Sequence, residues 1–524
     1  MSYVADPTLQ PNFLYAEINK LTDKLAQKDH QLTTLREHIQ WLEEQLRLSR
    51  YKRFASSSEK QSPDQVALFD EAEQLQDEAS EQEREPDTTT TTVTAHQRQA
   101  RKPRIPKDWP REQIIHDLAE ADKVCPHDGS HLVHIGDEIH EQLDIIPAQI
   151  KAIAHVRRKY GCPCCENYIV TATKPKQPIE KSIATPNLLA HVAISKYADA
   201  LPLYRQVTMF KRIGVELNRT TLANWMIQCG QLVQPLMNLL AEAALAQSVV
   251  HMDETALQVL NEPGKSPESQ SYMWLLLTTG HQPVVYYHYH PSRHADVPKQ
   301  LLGDYQGAVM VDGYDGYQSV CQKNQLTRLG CWAHARRKFI EAQKSQPKGK
   351  AGKADQALAY IQKLYAIERQ VKDKTADERL HIRQTQAKPI IDKLRVWLEK
   401  ALLNTPPKMA LGKAIHYLHN QWERLVGYLD DGTYPIDNNP AENAIRPFVI
   451  GRKNWLFANS QSGAKASASL YSLIETAKAN GLEPFSYLQR VFTLLPNAQS
   501  LADIEALLPW QLAHQDNSLA STEV

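Results

Sequence analysis

The sequence predicts a multidomain α+β protein, on three observations. Apolar residues between Ile18 and Leu46 recur in alternating three- and four-residue steps, the pattern of a long coiled-coil helix. Cysteine motifs at Cys125 and Cys162 fall in a stretch that reads as a small, β-rich, metal-binding module. From Val249 onward, strand-like runs alternate with turn signals and short helical segments, and two of those runs end on a carboxylate. The chain has 524 residues, and a prior of roughly 150 residues per domain divides it into three or four units.

Charge and composition bound the function classes. Lysine plus arginine and aspartate plus glutamate both number 60, so net charge argues neither for nor against a nucleic-acid partner. The distribution is uneven: the chain is half acidic between Asp70 and Asp87, and basic clusters recur at Arg98–Arg111, Arg336–Lys338, Lys344–Lys353 and Arg446–Lys453. No apolar run approaches the roughly 20 residues of a membrane helix, and the N-terminus has no signal-peptide core, so a cytoplasmic location is expected, with no membrane partner. Seven cysteines, several close together, suit metal binding or buried thiols better than a disulfide framework.

Residues 14–50 are expected to form a coiled-coil dimerisation helix. Its seam is Ile18, Leu21, Leu25, Leu32, Leu35, Ile39, Leu42 and Leu46, with Lys28 at the one polar seam position. The competing reading is an amphipathic helix packed on its own chain. Residues 51–110 read as a disordered linker, acidic and threonine-rich with a basic end, because they bury too little apolar surface to order themselves. Residues 111–180 hold Cys125-Pro126-His127-Asp128 and Cys162-Pro163-Cys164-Cys165. The second motif is half of a tetrahedral zinc site, and the first has Asp128 where a matching knuckle would have cysteine. Cys125, Asp128, Cys162 and Cys165 are the candidate zinc ligands, with His127 or Cys164 as alternatives to Asp128. A β-rich module that holds no metal is the rival.

Residues 181–240 turn helical and resemble a helix-turn-helix: one helix begins near Ala200, Gly214 breaks the run, and a second begins after Asn218 or Thr220 as N-cap. Arg219, Thr221 and Asn224 would then lie at the helix start where base edges are read; plain helix packing explains the pattern equally well.

A ribonuclease-H-like catalytic domain is expected over 245–340 and 432–480. Val249–Leu260, Tyr272–Thr278 and Pro283–His288 read as three sequential antiparallel strands. A helix near Ala295–Leu302, a strand at Gly307–Val311, a short helix and a strand at Leu326–Trp332 follow. This order is similar to that of ribonuclease-H-like folds, in which the first and fourth strands lie side by side. Asp253 stands on the first strand and Asp312 ends the fourth, while Asp437–Glu442 opens a later helix that carries Glu442. Two strand-borne aspartates and one helix-borne glutamate supply the hard oxygen ligands of a site for two divalent cations about 4 Å apart. Residues 341–431 read as a helical insertion and 481–524 as a C-terminal segment.

The run Asp437-Asn438-Asn439-Pro440-Ala441-Glu442-Asn443-Ala444-Ile445-Arg446-Pro447-Phe448, continuing Gly451-Arg452-Lys453-Asn454-Trp455-Leu456-Phe457, resembles the signature of the insertion sequence 66 family of bacterial transposases. Asp253-Glu254-Thr255, Asp312-Gly313-Tyr314, Gly330–Phe339, Ser58-Glu59-Lys60 and Ala477–Pro484 carry the same likeness, which extends over most of the chain. It implies a DDE-type DNA transposase that cleaves the ends of its element and transfers strands into target DNA. The catalytic and metal-binding acids would be Asp253, Asp312 and Glu442, with two magnesium or manganese ions and zinc as a further cofactor. The partners implied are DNA, a second copy of the chain and small accessory proteins of the same element. Asp128 departs from the family's cysteine and leaves the zinc site open.

Each candidate has a rival. Asn439 as N-cap, Pro440 at N1 and Glu442 at N3 make a capping-box pattern that would give Glu442 a purely structural task. Asp315 competes with Asp312, but its Gly-rich turn suits an Asx-type bond. Glu254 competes with Asp253, but strand alternation sends it to the opposite face. Arg446, Arg452 and Lys453, beyond Glu442, are candidates for holding phosphates, against an ordinary basic helix face. Cys331 and His334 form a Cys-x-x-His pair whose further zinc ligands the sequence does not supply, which favours packing, with His334 near phosphate. For the whole protein, the alternatives are an inactive DNA-binding scaffold or a nuclease of the same fold without strand transfer.

Overall fold

The computed structural model describes residues 11–54, 149–161, 169–346 and 352–520, with scattered positions between 112 and 130. The chain forms two compact units, residues 77–171 and the remainder. In the smaller unit, β1 (Lys159–Gly161) and β2 (Ile169–Thr171) pair antiparallel, Lys159 opposite Thr171, and flank the segment that contains Cys162 and Cys165. The four candidate zinc ligands lie outside the described residues, as does the expected linker beyond Phe54.

In the larger unit, α1 (Pro11–Phe54) is one continuous helix. The eight apolar seam residues are each 49–63% exposed, so this face is not packed on the helix's own chain. Among the described residues, α1 docks near its C-terminal end: Glu44 is buried and its Oε1 accepts from Ser345 Oγ at 3.0 Å and from the Ala410 amide at 2.9 Å.

Immediately before the sheet come α2 (Pro186–Tyr197), α3 (Leu203–Arg212), α4 (Arg219–Leu232) and α5 (Gln234–Leu245). Gly214 separates α3 from α4 with φ +84°, a left-handed conformation that suits glycine. Asn218 is the N-cap of α4, its Oδ1 accepting from the Thr221 amide at 2.7 Å, so of the two expected caps the structure takes Asn218. Leu222, Trp225, Met226 and Cys229 point into the core; Arg219 and Asn224 stay exposed and Thr221 half-buried.

The sheet follows in the expected order: β3 (Val249–Asn261), β4 (Gln270–Leu277), β5 (Val285–His290), α6 (Asp296–Leu302), β6 (Ala308–Val311), α7 (Gln318–Lys323) and β7 (Thr327–Gly330). Spatially the strands run β5-β4-β3-β6-β7, the first three antiparallel, and β6 and β7 parallel to β3. The helical stretch between β7 and the Glu442 helix comprises α8 (Trp332–Ser345), α9 (Lys353–Gln370), α10 (Ala376–Ile382), α11 (Lys388–Leu403), α12 (Ala410–Asn420) and α13 (Trp422–Val426), around a core of its own that includes Phe339, Ile361, Leu394 and Ile415. Its buried Arg383 pairs with Glu368 and donates to the carbonyls of Tyr428 and Asp431, fixing the chain that leads back to the sheet.

The chain then returns through α14 (Asn439–Trp455), β8 (Ala458–Ser460) and α15 (Gln461–Ala479), and ends in α16 (Pro484–Leu494), α17 (Leu501–Glu505) and α18 (Pro509–Ala520). β8 extends the sheet by pairing parallel with the far end of β3. α15 solves the problem of the β5 edge, whose free amides would otherwise be buried without partners. Ser472 Oγ accepts from the Tyr287 amide at 2.7 Å, and Thr476 Oγ1 accepts from the Val285 amide at 3.0 Å while donating to the Val285 carbonyl at 3.1 Å. On its other side α15 meets α4 so closely that a Cβ on Gly230 would lie 2.7 Å from Ala466 Cα. Among the described residues no helix is long and apolar enough to cross a membrane.

Thr476→Val keeps shape and volume but strips the Val285 amide and carbonyl of their partner. Denaturant unfolding should show a loss of about 1–3 kcal/mol, the usual cost of an unsatisfied buried polar group; an unchanged midpoint would mean that water replaces the hydroxyl.

Candidate active site

The parallel pairing of β3 with β6 sets the two aspartates side by side. Val249 lies opposite Ala308 and His251 opposite Met310; the same register carried two residues further places Asp253 beside Asp312, just past the end of β6. Parallel neighbours at one level share a face. Asp253 is held partly by its own strand, Oδ1 accepting from the Glu254 amide at 2.9 Å. Asp312 Oδ1 accepts from the Tyr314 amide at 2.9 Å, closing an Asx-type turn. The expected Asx residue, Asp315, instead starts a single 3-10 turn, Asp315–Tyr317. Arg328 on β7 braces this loop from below by donating to the carbonyls of Asp312 and Tyr314 at 3.2 and 2.8 Å.

Asn438 brings Glu442 to the same end of the sheet. Its Nδ2 donates to the Met252 carbonyl at 2.9 Å, its Oδ1 lies 2.9 Å from His251 Nδ1, and its amide donates to Cys331 Sγ at 3.2 Å. The enclosed Asn438 side chain thereby ties the start of α14 to β3 next to Asp253, and its backbone amide ties it to the end of β7. Burial holds the His251 imidazole down at about 4, so it stays neutral and its Nδ1–H donates to Asn438.

The capping-box reading of Glu442 is corrected. α14 begins at Asn439, and its N-cap Asn438 makes no side-chain capping bond to the helix. The Asn439 amide is satisfied by Asp437 Oδ1 at 3.1 Å. The Glu442 carboxylate, 4% exposed, turns to α8: Arg337 Nη2 donates to its two oxygens at 2.7 and 2.6 Å, and His334 Nδ1 stands 3.6 Å from Oε1. Cys331, His334 and Glu442 thus offer ligand atoms within 4.8 Å of one another, a third member that the Cys-x-x-His spacing alone did not reveal. Arg337 already donates to that carboxylate, and its Nη1 lies 3.3 Å from His334 Nε2. Burial and the neighbouring Arg337 and Lys338 charges hold His334 at about 3, so the ring is a neutral acceptor for that guanidinium.

Electrostatics bind the acids into one group. The Asp253 carboxyl is pushed well above its ordinary value first by burial and then by the charges of Glu254, Glu442 and Asp312, only weakly opposed by the Glu254 amide. Glu254 is not remote, as alternation suggested, since the Asp312 charge raises its carboxyl after burial does. It is distinguished from the others by its partners: Arg293 Nε donates at 2.7 Å and Tyr317 Oη at 2.5 Å, with the Arg293 guanidinium stacked 4.0 Å from the Tyr314 ring. Carboxylates crowded in this way suit hard divalent cations, which relieve the repulsion that burial amplifies.

The basic candidates divide. Arg452 Nη1 donates to Thr255 Oγ1 at 3.3 Å, two residues along the strand from Asp253, and Lys453 is exposed; Arg446 is half-buried on the same helix. Arg219, Thr221 and Asn224 lie on α4, away from the acids in sequence and on a separate element. Sequence reasoning missed Arg337, Asn438 and His251. Asn438 stood inside the most distinctive motif, and Arg337 inside the Gly330–Phe339 run.

The profile of the Transposase IS66 family matches residues 181–466, more than half of the chain. The chain belongs to the IS66 transposase family. The IS66 C-terminal element matches residues 472–510, the zinc-finger binding domain of transposase IS66 matches 122–166, and the profile described as Transposase C of IS166 homeodomain matches 41–114. Among relatives in Sinorhizobium fredii, the uncharacterized protein y4qI is 34% identical over 412 residues, covering 76% of this chain and 75% of its own. The uncharacterized proteins y4jD and y4hP are 31% and 29% identical, and each pairing covers at least 81% of both chains.

The raised Asp253 carboxyl gives this IS66 transposase a pH signature when divalent cations are removed. A carboxyl raised in the folded state binds its proton more tightly than in the unfolded chain, so it costs no stability below the unfolded value and costs progressively more as pH rises towards the folded one. Asp253→Asn should therefore unfold at a higher temperature than the parent at pH 7 in chelator, and the gap should close towards pH 4. A destabilised variant at pH 7 would contradict the charge crowding.

Proposed function

We propose that this IS66 transposase cleaves the ends of its element and joins them to target DNA with Asp253, Asp312 and Glu442 as its DDE carboxylate set, on a ribonuclease-H-like sheet. The observation that carries the reading is the convergence of three acids from positions far apart in sequence, with Asp253 feeling the charge of both others. The β5-β4-β3-β6-β7 order, with the first three strands antiparallel and the rest parallel, supports the fold assignment.

In this reading Asp253, Asp312 and Glu442 would together hold two magnesium or manganese ions. When bound, such a pair supplies a nucleophilic water or 3′-hydroxyl and charge stabilisation of the leaving oxygen. The residues of the chain orient and exclude. The Asn438 joint fixes α14 against β3, Arg328 holds the Asp312 loop, and Arg452 and Lys453 offer cations to a DNA backbone passing along the strand. Cleavage and joining are both in-line phosphoryl transfers, so one site serves both without a covalent intermediate on the protein.

The domain bounds expected from sequence carry over into this proposal. Arg219, Thr221 and Asn224 at the start of α4, together with Arg446, are assigned to DNA contact. Cys125, Cys162 and Cys165 are soft donors that fit zinc, and Asp128 completes a tetrahedral set as a less usual oxygen ligand. The exposed seam of α1 is assigned to a coiled-coil pairing with a second copy of the chain.

Purified protein incubated with labelled element ends and Mn²⁺ should yield both nicked and joined products. Asp253→Asn should abolish both while binding ends nearly as well as the parent. Nicking without joining would make the enzyme a nuclease, and loss of binding together with cleavage would give Asp253 a folding role. In light scattering, Leu35→Glu with Leu42→Glu should halve the particle mass; an unchanged mass would place self-association elsewhere.

A further inference from the structure

Glu442 is unlike the two aspartates in having a cation of the protein's own seated on it. Arg337 Nη2 reaches both carboxylate oxygens, and the pair is enclosed, the side chains 14% and 4% exposed. The two bonds come from one nitrogen, not from the two arms of the guanidinium fork, because Nη1 is turned to His334. A shared donor of this kind is weaker and less directional than two parallel bonds. A divalent cation approaching the same oxygens competes with the guanidinium for their lone pairs and meets its positive charge.

We propose that Arg337 is a positioning residue that competes with divalent cations for Glu442: it holds the carboxylate against α8 in the cation-free chain, and cation binding requires it to let go. This inference rests on the carboxylate reading above. The surroundings suit an exchange. His334 keeps an acceptor facing Nη1, so the guanidinium retains a partner when Glu442 turns away. Glu442 sits in the first turn of α14, whose start Asn438 anchors to the Met252 carbonyl beside Asp253, so the exchange calls for a change of side-chain rotamer on a helix that stays anchored. The consequence is linkage: each free-energy gain from the Arg337–Glu442 contact in the empty site is subtracted from cation affinity.

The test is Mn²⁺ binding to the full-length protein without DNA, by calorimetry or by the loss of the free Mn²⁺ electron-spin signal. Arg337→Met, which keeps the apolar stem, should bind Mn²⁺ roughly tenfold more tightly than the parent. Arg337→Lys, which keeps a charge without the planar fork, should fall between them. A residue that merely braced α8 against α14 would give the opposite sign, since its loss would loosen Glu442 and weaken binding. Circular dichroism reports whether the Met variant is folded, and if it is not, the Lys variant decides. Glu442→Gln separates the two levels of argument. If it lowers Mn²⁺ binding while the Arg337 variants bind no tighter than the parent, the competition is wrong and the carboxylate set stands. If Glu442→Gln leaves Mn²⁺ binding unchanged, the carboxylate set falls and the competition with it.

Discussion

Like charges crowded beside the sheet are the constraint around which this protein is arranged. An isolated surface carboxylate is harmless, but Asp253 shares its surroundings with Asp312, Glu442 and Glu254 in a place where burial already disfavours the ionised form. Such a group costs folding free energy unless cations or protein donors neutralise it. The protein answers for two of the four acids itself: Arg293 and Tyr317 take Glu254, and Arg337 takes Glu442. Among the described residues, the Asp253 and Asp312 carboxylates accept from backbone amides of neighbouring residues, which leaves oxygen lone pairs for ligands from outside.

Keeping the group together requires anchors from remote parts of the chain. β3 and β6 come together through parallel pairing, the slow kind that needs a crossover connection, here β4, β5 and α6. The Glu442 helix arrives only after the long helical stretch between α8 and α13, and Asn438 then locks it by satisfying a strand carbonyl, an imidazole and a thiol at once. Arg383, buried in that helical stretch, holds Tyr428 and Asp431 shortly before Asn438, so the helical stretch is tied into the placement of Glu442 and does not merely interrupt the sheet. At the opposite edge, the hydroxyls of α15 close β5 and keep the sheet from offering bare amides.

Much of this was legible in the sequence, for identifiable reasons. Strand order could be read because alternating apolar residues and Gly-rich turns are local signals, and the β3–β6 neighbourhood followed from that order. Asp253 and Asp312 stood out because each ends or interrupts an apolar run where a carboxylate is otherwise costly, whereas Glu442 was picked out by the resemblance of the Asp437–Phe448 run. What escaped was pairing across distance. Nothing local to Arg337 says that its guanidinium meets a residue 105 positions later, and Asn439 looked like the N-cap when the tertiary contacts of Asn438 had moved the role by one residue. The Asx bond expected at Asp315 belongs to Asp312, because the turn tightens immediately after β6. Glu254 was set aside on strand alternation, a weak argument beside a neighbouring charge; its pairing with Arg293 is the stronger one.

The most direct measurement is anomalous diffraction from crystals of the full-length protein soaked in Mn²⁺. The account predicts anomalous density beside the carboxylates of Asp253 and Asp312, with Glu442 turned away from Arg337 to join them. Density confined to Cys331 and His334, or none near Asp253 at saturating Mn²⁺, would contradict it.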